Sequence, residues 1–464
     1  MNGIDKVLQA VDGGLDQSVE RLFTLLRIPS VSTDPAYTTD CLRAAEHTAD
    51  LLRELGFDAS VRSTPGLPMV VGHYRPDNGM ADGPHVLFYG HYDVQPPDPL
   101  ELWEAPPFEP RIAEIEPGRR VIVARGACDD KGQFMTFLEA CRAWKAATGR
   151  LPLRITVLIE GEEESGSPSI KPFFDANRDE LKADVALVCD TGQWDHSTPA
   201  VTTMLRGLVL EEVTVTAANR DLHSGLFGGA AMNPIRALAK VVADLHGPDG
   251  RVQIPGFYDG VEELPPDIKA QWESLNLTAA EFLGQVGLSE PAGEAGRSVV
   301  EQVWARPTCD VNGMWGGYTG QGSKTVIPSQ AHAKVSFRLV GKQDPHKIQA
   351  AFRNFVRARL PKDCKAEFKS HGASPALALD PSSPYLAKAR EALASEWGKP
   401  ALVIGSGGSI PIVGAFKRDL GMDALMIGYA LDDDRVHSPN EKYDLSSFHK
   451  GIRSWARVIA ALAS

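Results

Sequence analysis

His91 with Asp93, Asp129 with Asp130, the run Glu162 to Glu164, Asp190 and His437 are side chains of the kind that hold divalent cations, and each follows a short apolar run. The runs are HVLFYG before His91, VIVARGAC before Asp129, LRITVLIEG before Glu162, VALVC before Asp190 and ALMIGYALDDDRV before His437. In open α/β sheets, ligands bind beyond the carboxyl ends of the strands, so polar residues directly after apolar runs are the ones that can share a site. Each piece alone has an ordinary explanation. A His two positions before an Asp arises by chance as a satisfied imidazole at a strand end. A Glu run suits the start of a helix, where carboxylates meet the positive end of the dipole. Asp129 with Asp130 suits the cap of the following helix, and Asp190 a turn. The conjunction is costlier to explain that way. Several carboxylates at one sheet edge repel one another and take up protons unless a multivalent cation lies among them.

Positioning such a set requires a sheet. The first 200 residues repeat one plan, a β-rich apolar run, a Gly-containing turn and a helical pattern, which argues a parallel or mixed α/β sheet. PMVVGHY, HVLFYGHYD, VIVARGACDD, LRITVLIEGEEE and ADVALVCDT are the runs, and QFMTFLEACRAWKAA reads as an amphipathic crossover helix. Near the C-terminus the plan returns as the helix SPYLAKAREALASEW, the strand ALMIGYALDDD and the helix FHKGIRSWARVIAALA, so the two ends form one domain, residues 1–200 and 374–464. Between them LRGLVLEEVTVTA and QAHAKVSFRLV alternate apolar and polar residues as half-exposed antiparallel strands do. NPIRALAKVVADLH is a helix, with Asn233 as cap and Pro234 at the first helical position. Residues 201–373 are therefore expected to be an inserted domain, with Gly247 to Gly322 as a long Pro- and Gly-rich excursion.

Composition narrows the function. A chain of 464 residues supports two or three domains, and 43% hydrophobic with 23% charged residues is ordinary for a globular protein. The net charge of -12 offers no basic stripe for phosphates, so nucleic acid and anionic membrane surfaces are poor partners. The N-terminal segment lacks the pattern of a signal peptide, and no apolar run approaches the roughly 20 residues that span a bilayer. Cys41, Cys128, Cys141, Cys189, Cys309 and Cys364 show no CxxC spacing, which suits a reducing, cytoplasmic compartment and leaves any metal to His and carboxylates. The segment GSGGSIPIVGAFKR sets glycines and Ser409 before an apolar helical pattern, a start that offers backbone N–H groups to an anion, and it lacks GxGxxG spacing.

The order GHYDVQP, GACDDKG, EGEEESGS, VCDT and HSPNE resembles the aminoacylase, carboxypeptidase and dipeptidase family of dinuclear zinc hydrolases, within it the cytosolic nonspecific dipeptidase and carnosinase branch. The likeness runs from RIPSVS almost to the C-terminus and extends to DLHSGLFGG, SKTVIPS, SFRLV and GGSIP. It implies a zinc-exopeptidase-like α/β catalytic domain with a mostly parallel sheet, plus an inserted α+β lid and dimerisation domain with an antiparallel sheet. It implies two Zn2+ per subunit, with Mn2+ or Co2+ suiting the same ligands. Asp129 would bridge the ions, one taking His91 and Asp190 and the other Glu164 and His437. Glu163 would be the general base, Asp93 would orient His91, and the peptide between Asp129 and Asp130 would be cis. The resemblance further implies that Arg338, Gly408 and Ser409 hold the substrate carboxylate, with Thr325 and His371 also in contact. His223 would reach the active site of the other subunit of a homodimer to stabilise the oxyanion. The expected reaction is amide hydrolysis of a dipeptide. An N-acyl amino acid deacylase of the same family is the alternative. A catalytically silent binding protein and a two-metal phosphodiesterase are the other readings; intact metal-type positions oppose the first and the acidic balance the second.

Overall fold

The structure, a computed structural model, describes residues 3–76, 83–408 and 410–464. The chain falls into two compact units: Met1–Thr203 with Leu379–Ile404 and Pro411–Ser464, and Met204–Ala378 with Gly405–Ile410.

In the first unit the strands Arg154–Glu160, His85–His91, Val185–Val188 and Asp423–Met426 lie side by side in that order and all run parallel. Asp58–Arg62 and Met69–Tyr74 extend one edge antiparallel, and Ala200–Leu205 pairs antiparallel beyond Asp423–Met426. The parallel strands are buried along nearly their whole length, which is why they read as continuous apolar runs rather than alternating ones. Phe88 and Tyr89 are neighbours on one strand and point to opposite faces. Phe88 stacks on Phe137 at 3.9 Å and meets Trp455 edge-on, while Tyr89 meets Phe416 edge-on at 6.0 Å. Helices Lys131–Thr148 and Leu445–Ala463 thus cover one face and helix Pro411–Leu420 the other.

Two expectations about this unit need correction. The run VIVARGAC does not enter the main sheet. Its strand, Arg119–Val123, pairs antiparallel with Arg111–Glu116 and Lys442–Asp444 in a separate small sheet. The Pro117-Gly118 dipeptide, with Gly118 at φ +82°, closes the first two of these strands as a hairpin, a turn signal that marks antiparallel rather than crossover pairing. The helix Lys131–Thr148 is also buried on almost every side through Cys141 rather than amphipathic, because helix Gly3–Leu26 packs on the side that would otherwise face water.

The second unit is built on an antiparallel sheet in the order Thr308–Gly316, Gln330–Leu339, Gly207–Thr216 and Lys365–Ser374. Along Gly207–Thr216 buried and half-buried residues alternate strictly, and Val209, Val213, Val335 and Phe337 meet Leu238, Val241, Phe352 and Val356 in one core. Asn233 caps helix Pro234–Ala243 by accepting the Ile235 N–H at 2.9 Å. The Pro- and Gly-rich excursion holds more order than its composition suggests. It contains helices Pro266–Ser274, Ala279–Gly284 and Val299–Trp304 and the edge strand Thr308–Gly316, where Trp315 stacks on His332 at 4.9 Å.

Phe88 is fully buried between Phe137 and Trp455, so Phe88→Ala leaves a cavity in the rigid face of the main sheet. The expected cost is about 3–5 kcal/mol, read as a lowered midpoint for the first unit's transition in urea unfolding.

Candidate metal centre

His91 closes its strand in register with Glu160 on the adjacent strand, and its imidazole is fully buried. Its Nδ1 lies 3.1 Å from the Asp93 carbonyl oxygen and 3.3 Å from the Asp93 carboxylate. With the proton on that nitrogen, the Nε2 lone pair faces the other way. There it lies 3.1 Å from Asp129 Oδ1 and 3.9 Å from Asp190 Oδ2. On the far side of the same carboxylate, His437 Nε2 lies 2.9 Å from Asp129 Oδ2 and 3.3 Å from Glu164 Oε2. Two groups of three ligands result, His91 with Asp129 and Asp190, and Asp129 with Glu164 and His437. Within each group the ligand atoms lie within 4.8 Å of one another.

Local backbone geometry presents these side chains. The strand Arg154–Glu160 gives way to a single 3-10 turn, Glu163–Ser165, closed by Gly166 at φ +87°. Asp93 receives the N–H groups of both Glu163 (3.2 Å) and Glu164 (3.0 Å), so one buried carboxylate fixes His91 and the Glu turn together. Gln95 donates to Glu164 Oε2 at 2.6 Å, whereas Glu164 Oε1 is buried without a hydrogen-bond partner. Glu162 turns away from the cluster. Its carboxylate lies against Gly66, where a Cβ would sit 1.9 Å from Oε1.

The Asp129–Asp130 peptide is cis, as the resemblance implies. Asp130 stands at the N-terminus of helix Lys131–Thr148, yet its side chain makes no capping bond; it accepts the His91 N–H at 3.0 Å. That approach requires Gly90, since a Cβ there would come within 2.7 Å of Asp130 Oδ2. His437 does not follow a strand directly. Strand Asp423–Met426 ends earlier, and His437, at φ +62°, comes from the loop that leads to Lys442–Asp444.

Gathering these groups strains their ordinary charge states. Burial pushes Asp190 up to about 7, with the Asp129 charge adding to it, and burial pushes Glu163 up to about 8. His437 rises to about 10 on its hydrogen bonds with Asp129 and Glu164. Burial alone would raise Asp129, but the bonds from His437 and His91 outweigh it and hold that carboxyl well below the usual range. The set is therefore an excess of carboxylates balanced by two imidazoles, and divalent cations would satisfy the same positions. Imidazole and carboxylate donors, a carboxylate with one oxygen toward each imidazole, and the orphaned Glu164 Oε1 all fit that occupancy.

The other described candidates, His223, Thr325, Arg338, His371 and Gly408, lie in the second unit. His223 is exposed and accepts the Gly225 N–H at 3.0 Å; its strand neighbour is Val326, next to the exposed Thr325. His371 pairs with Glu212 at 3.0 Å on the sheet. Arg338 is half-buried opposite Thr308 and Leu208. Ser409 lies outside the described residues. Sequence reasoning missed Arg206, whose backbone N–H donates to the Gly408 carbonyl and whose Nε donates to the Gly407 carbonyl, both at 3.2 Å. Burial, and after it the charge of Arg338, pull its guanidinium down to about 10, against the opposing charge of Asp310, so the two arginines are electrostatic neighbours.

The chain is 29% identical over 476 residues to the Cys-Gly metallodipeptidase dug1 of Schizosaccharomyces pombe, covering 99% of this chain and 98% of that one. It is 28% identical to the Beta-Ala-His dipeptidase of Homo sapiens, covering 99% and 93%. Among solved structures, the M20 family metallo-carboxypeptidase Sso-CP2 from Sulfolobus solfataricus superposes with a TM-score of 0.81 at 30% identity, covering 96% of this chain and 99% of the other. A family model matches residues 87–461, the stretch that holds every ligand of the candidate centre, and the chain belongs to peptidase family M20/M25/M40.

Proposed function

We propose that the protein is a dinuclear zinc dipeptidase that hydrolyses the amide bond of dipeptides. The observation that carries this reading is the placement of one carboxylate, Asp129, between two imidazoles, each with its own further carboxylate. In the proposed assignment His91 and Asp190 serve one ion, Glu164 and His437 the other, and Asp129 both. Ions held there would supply Lewis acidity, to polarise the scissile carbonyl and to lower the pKa of water toward neutrality. Manganese or cobalt suits the same donors. Glu163 takes the proton from the attacking water and delivers it to the leaving amine. Asp93 keeps the His91 ring oriented and the turn that bears Glu163 in place.

Substrate binding is assigned by resemblance. Arg338, Gly408 and Ser409 take the substrate carboxylate, the guanidinium fork suiting both oxygens, with Thr325 and His371 along the substrate and His223 contributed across a homodimer. Arg206 beside Arg338 and Gly408 adds positive charge and so supports an anionic group there. The proposed location is the cytoplasm; the cysteines are free, and among the described residues no helix is long and apolar enough to cross a membrane.

Two rival substrates share the chemistry. The likeness to a metallo-carboxypeptidase favours longer peptides trimmed from the C-terminus, and the family resemblance admits N-acyl amino acids. Steady-state kcat/KM on dipeptides, tripeptides and acetyl-amino acids separates them. Dipeptides are expected to lead the panel, and turnover confined to acetylated substrates would make the protein a deacylase. For the mechanism, Glu163→Ala is expected to retain both ions by elemental analysis while kcat falls on the order of 10³-fold or more. Lost metal with substantial residual activity would instead exchange the roles of Glu163 and Glu164.

A further inference from the structure

Glu441 is a fully buried carboxylate on the loop that also carries His437. Its oxygens are saturated by one short stretch of chain. Oε1 accepts the N–H groups of Cys128 (2.9 Å) and Asp129 (3.0 Å), and Oε2 accepts the Gly126 N–H (3.0 Å) and Arg125 Nη1 (2.7 Å). The Glu441 carbonyl oxygen in turn accepts the Ala124 N–H at 3.2 Å, and Lys442 opens the ladder to Val123. The segment from Arg125 to Asp129 contains no regular structure, and Gly126 stands at φ +81°. Arg125 and Ala127 donate their N–H groups to the Pro107 and Ala124 carbonyls, whereas those of Gly126, Cys128 and Asp129 go to Glu441.

We propose that Glu441 is a positioning residue of the metal centre, a carboxylate on which the Gly126–Asp129 loop is templated so that Asp129 offers one oxygen to each imidazole. Because Glu441 and His437 share a loop, one short segment both supplies a ligand for one ion and sets the carboxylate that reaches both. Arg125 compensates the charge. It is itself buried, donating to the Pro96 carbonyl at 3.2 Å and lying over the Trp103 ring at 5.5 Å. The arrangement therefore links the loop after the His91 strand to the loop that bears His437. The inference rests on the reading of Asp129 as the bridging ligand.

The test is the affinity of the full chain for Zn2+ alone, measured by competition with a chromophoric chelator, together with the visible absorption of the Co2+-loaded protein. Glu441→Gln keeps the side-chain volume and one acceptor, but sets an NH2 group against the N–H groups of its former partners. It is expected to weaken both ions by about 10- to 100-fold and to shift the Co2+ bands, while the metal-free variant keeps the wild-type circular dichroism. His437→Ala, in contrast, weakens one ion selectively. Glu441→Asp, which retains the charge but withdraws it by one methylene, is expected to fall in the same direction and decides the matter if the Gln variant does not fold. Wild-type affinity for two ions and an unchanged Co2+ spectrum in the folded variant would reduce Glu441 to a fold anchor and overturn the proposal. Fewer than two ions in the wild-type protein would instead bring down the dinuclear reading on which it rests.

Discussion

One carboxylate between two imidazoles sets the terms for the rest of the first unit. Asp129 is held with Oδ1 toward His91 and Oδ2 toward His437, two residues separated by most of the chain. A carboxylate is short, and its two oxygens diverge at a fixed angle, so both partners must arrive on opposite sides with little tolerance. The parallel sheet supplies one side. His91, the Glu turn and Asp190 emerge at the same edge because three adjacent parallel strands end together. Loops and a separate small sheet supply the other.

Gathering so many acids in a buried place is unfavourable, and the surroundings show how the molecule accommodates it. Asp93 and Asp130 accept backbone N–H groups and the His91 ring rather than facing the cluster as free charges. Glu441 is neutralised by Arg125 and three backbone donors. Glu162 is buried against Gly66, outside both ligand groups. Asp129, Glu164 and Asp190 are left facing the imidazoles, with Glu163 beside them and pushed up by burial. Hydrogen bonding to the backbone thus sorts a dense run of acids into those that support and those that face the site. A hydrolytic centre needs that separation, since a base must lie beside the ligands without becoming one.

Much of this was legible in the sequence, and for physical reasons. Continuous apolar runs marked the parallel strands because both faces of the sheet are covered, and His91, the Glu162–Glu164 run and Asp190 follow three of them, whereas Asp129 and His437 come from loops outside the main sheet. Strict alternation in LRGLVLEEVTVTA marked a half-exposed antiparallel strand. What the sequence did not convey came from long-range pairing. Arg119–Val123 has the composition of a core strand, and only its hairpin partner and Lys442–Asp444 place it in a second sheet. The edge strand Thr308–Gly316 is interrupted by a bulge and stabilised by Trp315 on His332, features that no periodicity announces. Glu441 closes the HSPNE stretch, but its role was not legible there, because three of its four donors are backbone N–H groups that leave no trace in residue identity. The same holds for Arg206, whose contacts are carbonyl oxygens of the glycine loop.

The most direct test of the central claim is the anomalous scattering of a zinc-loaded crystal, which locates ions without reference to activity. The account predicts two peaks about 3.5 to 4 Å apart on either side of the Asp129 carboxylate, one reached by His91 and the other by His437. A single peak, or two that do not share Asp129, would contradict it.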